Sequence, residues 1–119
     1  MTEPAPTFYI FVNSDLGLSK GQSYAQISHV TALIVEDLVK KSYENFPPPK
    51  ECMDFMKWKI LPTTLVYKAT GAQLRELIKM PGTKGFIDSC NRIPDNSLTI
   101  VGFNPNSTMT DFVKDYSLA

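Results

Sequence analysis

With 119 residues and a mass of 13.3 kDa, the chain is long enough for one domain with a real core and too short to divide into two. A hydrophobic share of 43% against 20% charged residues is the balance of a soluble globular protein, and no apolar run approaches the ~20 residues of a membrane span. Twelve basic residues cancel twelve acidic ones, which argues against a general-purpose nucleic-acid binder.

The first six residues read as a loose arm ahead of a single domain at 7–119. Met1-Thr2-Glu3-Pro4-Ala5-Pro6 has neither the basic stretch nor the apolar stretch of a secretory leader. Cys52 and Cys90 without such a leader point to reduced thiols and a cytoplasmic setting, with no membrane partner. Phe8 to Val12 is a continuous apolar run, the pattern of a strand covered on both faces. A long helix is expected from Lys20 to Ser42. Ser19 and Gln22 have the spacing of a capping box at its start, which puts Lys20 at the first helical position and Gly21 at the second. Ile27, Val30, Ile34 and Leu38 form one apolar stripe. Gly21, Ala25, Ser28 and Ala32 form a small-residue stripe expected to lie close to a sheet. Gln22, Gln26 and His29 make a polar strip at the front end.

Phe46-Pro47-Pro48-Pro49 ends that helix. Residues 50–58 read as a short helix with Cys52, Phe55, Met56 and Trp58 turned inward, and residues 63–68 as a second strand. Thr70 and Gln73 repeat the capping-box spacing and open a short helix that Pro81-Gly82 stops. Residues 85–88 form strand three, 91–96 a loop, 98–103 strand four and 108–116 a closing helix.

This order predicts an α/β fold, a three-layer α/β/α with a four-stranded mixed sheet. Strands one to three run parallel and the last strand runs antiparallel. The carboxyl ends of the three parallel strands then share one edge, where open α/β sheets bind ligands. That edge collects Lys20, Gln22, Gln26, Asp88, Thr99 and His29. Ester hydrolysis without a cofactor needs a positioned water, a proton acceptor and a donor for the developing oxyanion. Asp88 suits the acceptor, Lys20 the oxyanion, and Thr99 the holding of water or carbonyl. Plainer roles stand beside these: a structural ion pair for Lys20 and Asp88, strand packing for Thr99, and a packed ring for His29. As the sole histidine, His29 does not suggest a zinc site, and no metal is expected. Cys90 with His29 offers a thiol-hydrolase alternative, against the plainer role of a small buried thiol.

Between Lys57 and Arg92, seven bases (Lys57, Lys59, Lys68, Arg75, Lys79, Lys84, Arg92) face two acids, Glu76 and Asp88. Gathered on one surface, such a segment suits phosphate. Lys40, Lys41, Lys68 and Lys84 are candidates for outer phosphate contacts by charge.

The segment from Asp15 to His29 resembles the signature of the type 2 peptidyl-tRNA hydrolases, the archaeal and eukaryotic class. Asp15, Lys20, Gly21, Ala25, Gln26 and His29 match its pattern without a gap. Residues 63–69 resemble that family's next strand, with Lys68 in the place of a strand lysine. Residues 98–105 resemble its last strand and following proline. The resemblance implies a cofactor-free hydrolysis of the ester joining a peptide to tRNA, in a fold that is commonly a homodimer. It places the catalytic lysine on Lys20, the aspartate on Asp88 and the threonine of the final strand on Thr99. Gly21, Gln22, Gln26, His29 and Asn91 fall around the substrate. The chain departs from the pattern at Asp88-Ser89-Cys90-Asn91-Arg92-Ile93, which is one residue shorter and lacks a threonine that Asn91 stands nearest. Gln22 replaces the second lysine of the signature. These departures motivate the alternative of a catalytically silent homologue that binds RNA or a protein partner through the same edge.

Overall fold

The computed structural model describes residues 4–88 and 97–119. Four strands, β1 (Phe8–Asn13), β2 (Thr64–Ala69), β3 (Thr83–Asp88) and β4 (Ser97–Phe103), form one sheet in the order β2-β1-β4-β3. β1 pairs parallel with β2, and β4 runs antiparallel to both β1 and β3. The first three strands therefore point the same way. Helices α1 (Lys20–Glu44), α2 (Lys50–Ile60) and α3 (Gly71–Leu77) complete the chain order, with a 3₁₀ turn at Phe112–Asp115.

Alternation along β1 builds two cores, one on each face of the sheet. Phe8, Ile10 and Val12 meet Val30, Ile34 and Leu38 of α1, and Cys52 of α2. Tyr9 and Phe11 meet Leu74 and Leu77 of α3, with Met109 and Val113 from the C-terminal segment. Each such side chain contributes about 1.5–3 kcal/mol by leaving water, so a strand buried at all six positions ties both layers to the sheet. The result is the expected three-layer α/β/α with a four-stranded mixed sheet.

α1 starts as its spacing predicts. The Gln22 N–H donates to Ser19 Oγ at 3.1 Å, and the Ser19 N–H donates to Gln22 Oε1 at 2.9 Å. Val30, Ile34 and Leu38 are buried as expected, Ile27 packs partly buried against the same core, and Gln26 is buried beside it. The small-residue stripe is a correction. Gly21, Ala25, Ser28 and Ala32 all face solvent. Close approach is granted by the sheet instead, because a Cβ on Gly102 would stand 2.9 Å from Ile34 Cδ1 and 3.3 Å from Val30 Cγ2. The large stripe packs into the gap that this glycine leaves.

Met56, expected inward on α2, is 57% exposed, while Cys52 is buried and donates to the Leu38 carbonyl at 3.3 Å. Burial pushes the Cys52 thiol upward from its ordinary value, so it stays protonated in that bond. The expected closing helix reduces to the single 3₁₀ turn. Beyond it the chain turns back along β2, where the Lys68 N–H donates to the Ser117 carbonyl and the Ala119 N–H to the Val66 carbonyl. These bonds satisfy the outer edge of β2, which a longer helix would leave open. Of the expected arm, Pro4 and Ala5 are exposed, whereas Pro6 is buried beside the bridge between Thr7 and Asn106. Among the described residues no helix is long and apolar enough to cross a membrane.

Candidate active site at the carboxyl edge

The ends of β1, β2 and β3 and the start of β4 meet at one edge of the sheet. Lys20 stands there as the first residue of α1, exposed and with no ion pair among the described residues. Gly21 beside it is open, since a Cβ at that position would meet nothing within 4 Å. The Gln22 side chain is committed to the capping box, so its amide oxygen serves the helix. Asp88 closes β3 at the same edge. Its side chain lies outside the described residues, as do Cys90, Asn91 and the 91–96 loop.

Thr99 owes its place to a β-bulge. β3 and β4 shift register between Phe86 and Ile87: Phe86 pairs with Ile100 and Ile87 with Leu98, which leaves Thr99 as the extra residue. Simple alternation would turn Thr99 toward α3 with Val101 and Phe103. The bulge turns it toward α1 instead, next to Ile100. Thr99 is fully buried there, its hydroxyl 2.8 Å from Gln26 Oε1 and 3.0 Å from the Phe86 carbonyl. Gln26 is itself only 4% exposed. A buried amide on the sheet side of a helix is costly without partners, and the bulged threonine supplies one. His29, one turn further along α1, lies flat on Phe86 with ring centroids 4.6 Å apart and planes 13° from parallel. It is exposed on its outer face. The edge thus presents an exposed cation at a helix start, a buried amide–hydroxyl pair behind it, and a stacked imidazole on its flank.

Across β1, on the α3 side, a second polar group gathers. Asn13 donates to the Leu98 carbonyl at 2.9 Å and accepts from the Asp15 N–H at 2.8 Å. Asp15 Oδ2 accepts from the Gly71 N–H at 2.8 Å, so the carboxylate caps α3. Asn13 carries no signal in the sequence beyond ending an apolar run, and only the fold reveals its bridging position.

The basic middle segment is not one surface. Lys57 and Lys59 ride on α2 over one face of the sheet, and Arg75 on α3, with Lys79 in the turn after it, over the other. Lys79 pairs with Glu76, while Lys84 and Lys41 both pair with Asp37, at 3.6 and 3.1 Å. Burial alone would raise the Asp37 carboxyl, but these two lysines outweigh it and hold it below the usual carboxylate range. Of the four lysines suggested for outer contacts, Lys41 and Lys84 are therefore committed, and Lys68 is exposed on the edge strand.

Comparison with protein-family models and with curated proteins gives no match.

Proposed function

We propose that the chain hydrolyses the ester bond of peptidyl-tRNA at the carboxyl edge of its sheet, as a cytoplasmic, cofactor-free enzyme. The observation that carries the proposal is the pairing of an exposed Lys20 at the capped start of α1 with the buried Gln26–Thr99 pair nearly two turns further along it. These residues stand at the positions by which the chain resembles the type 2 peptidyl-tRNA hydrolases, and the element order suits that family's fold. Water adds to the ester carbonyl while Asp88 takes its proton. Lys20, with the partial positive charge of the helix start, stabilises the oxyanion. The carbon–oxygen bond to the ribose then breaks and the proton passes to the leaving ribose oxygen. Thr99 does not touch the substrate in this scheme, since it is fully buried; it fixes Gln26 beneath the reacting centre. The partner is tRNA, met by exposed lysines such as Lys20 and Lys68, and a homodimer would fit the same resemblance.

Lys20→Ala tests the proposal. Turnover of N-acetyl-aminoacyl-tRNA should fall by about 10²–10³-fold, the loss expected for one oxyanion donor. A wild type no faster than this variant, yet still binding tRNA, would move the chain to the silent-homologue class.

A further inference from the structure

The opposite edge of the sheet, where β4 ends and β3 begins, holds a cavity of about 530 Å³ between α1, α2 and the C-terminal segment. It lies roughly 20 Å from the carboxyl edge, the length of β4. Met80, Pro81, Pro105 and Met109 supply its apolar wall. Charge around it is balanced. Lys41 holds Asp37 at 3.1 Å and Glu51 at 3.8 Å, and Lys50 holds Asp54 at 3.1 Å. Asn106 is occupied as well, its amide donating to the Asn104 carbonyl at 2.9 Å and its oxygen accepting from the Thr108 N–H at 3.1 Å.

Asn104 differs from all of these. It is only 8% exposed, yet its side-chain amide makes no hydrogen bond among the described residues. No side-chain nitrogen or oxygen among them is both shut off from solvent and unbonded, so the small exposure that Asn104 keeps belongs to this amide, and the cavity is what it faces. Folding gains nothing from such a group, which has lost most of its water without a partner in return. Gly82 leaves the amide bare on a second side. A Cβ there would stand 3.4 Å from Asn104 Nδ2, and the backbone at φ +75° favours glycine in any case.

We propose that this cavity binds an uncharged nucleoside, whose base pairs edge to edge with the Asn104 amide. A primary amide sets a donor beside an acceptor in one plane. A ligand that meets both at once carries the reverse pair, as adenine does with its N6–H and N7, and asparagine reads adenine in that way. The flat ring then lies among prolines and methionines, and a thioether packs well against an aromatic edge. The volume is that of a site for a small organic molecule. The lysines that line it already hold carboxylates, so a phosphate would meet no unmatched charge, and the ligand is a nucleoside rather than a nucleotide. This site stands apart from the ester-hydrolase reading, whose residues lie at the other edge.

Adenosine titrated into the whole chain, followed by backbone amide NMR, should shift Met80, Gly82, Asn104 and Met109. Purine riboside, which lacks the N6 amine, should bind the same unaltered protein about three- to tenfold more weakly, the loss of one hydrogen bond. AMP should bind no more tightly than adenosine. Asn104→Leu removes the amide at similar size and should lose those shifts; if that variant does not fold, the comparison of adenosine with purine riboside decides the matter. No shift at those four residues overturns the proposal, as do shifts confined to Lys20 and Gly21 at the other edge. Equal affinity for purine riboside, AMP bound tenfold more tightly than adenosine, or shifts retained in a folded Asn104→Leu overturn it equally.

Discussion

Thr99 and Lys20 stand at opposite extremes of burial, and this separates what each contributes. The Thr99 hydroxyl, closed off from water, gives its proton inward, and Gln26 Oε1 lies 2.8 Å away. Thr99→Val keeps the branched shape but withdraws that proton, so stability should fall by about 1–3 kcal/mol, read from denaturant midpoints. Turnover should fall with it and return in Thr99→Ser, which restores the hydroxyl. A Thr99→Val protein as stable as the wild type would mean that the Gln26–Thr99 bond holds nothing. Lys20 is exposed and unpaired among the described residues, so Lys20→Ala should leave stability within about 0.5 kcal/mol while removing turnover. A large loss of stability in Lys20→Ala would assign it a structural role instead. Asn91→Thr restores the hydroxyl that the resembled family carries near this point; higher turnover would show that the loop lacks a working hydroxyl, and unchanged turnover that it needs none.

α1 lies against the sheet because β4 has a glycine beneath it. Gly102→Ala would place a Cβ 2.9 Å from Ile34 Cδ1, so Ile34 must move and the helix with it, at about 1–3 kcal/mol. An unchanged thermal midpoint would show that the helix adjusts freely. At its far end α1 is tied to β3 through Asp37, which accepts from Lys41 and Lys84. The folded carboxyl lies below its ordinary value, so its contribution is present above about pH 4 and is lost as pH falls through the depressed folded value. Asp37→Asn should therefore cost a few tenths to about 1 kcal/mol at neutral pH, a cost that disappears as pH falls through the depressed folded value. The starts of α1 and α3 were legible because a capping box is a local rule, with donor and acceptor three residues apart. The Thr99 bulge was not, since Leu98-Thr99-Ile100-Val101 reads as an ordinary strand and the extra residue exists only in the pairing with β3. The small-residue stripe misled for a related reason. Close packing needs one small partner, and a sequence does not say whether helix or sheet supplies it.

The whole chain puts two separately packed cores on one sheet and leaves a single edge where three strand ends, one helix start and a bulged strand meet. The element order was readable from alternating strands and helices, and that order dictated the shared edge. The division of the edge into an α1 side and an α3 side was not readable, because it depends on which way Asn13 and Thr99 turn. With no net charge and several lysines already paired, the proposed tRNA binding would rest on few phosphate contacts. For about three contacts, affinity should fall roughly tenfold or more between about 50 and 200 mM salt; a salt-independent affinity would contradict phosphate recognition. The decisive measurement is single-turnover hydrolysis of N-acetyl-aminoacyl-tRNA by wild type, Lys20→Ala and Asp88→Asn, at enzyme excess. The account predicts release of the acyl group by the wild type, slowed by about 10²–10³-fold in Lys20→Ala and slowed also in Asp88→Asn, with tRNA binding retained in both. Equal rates in all three proteins would contradict it.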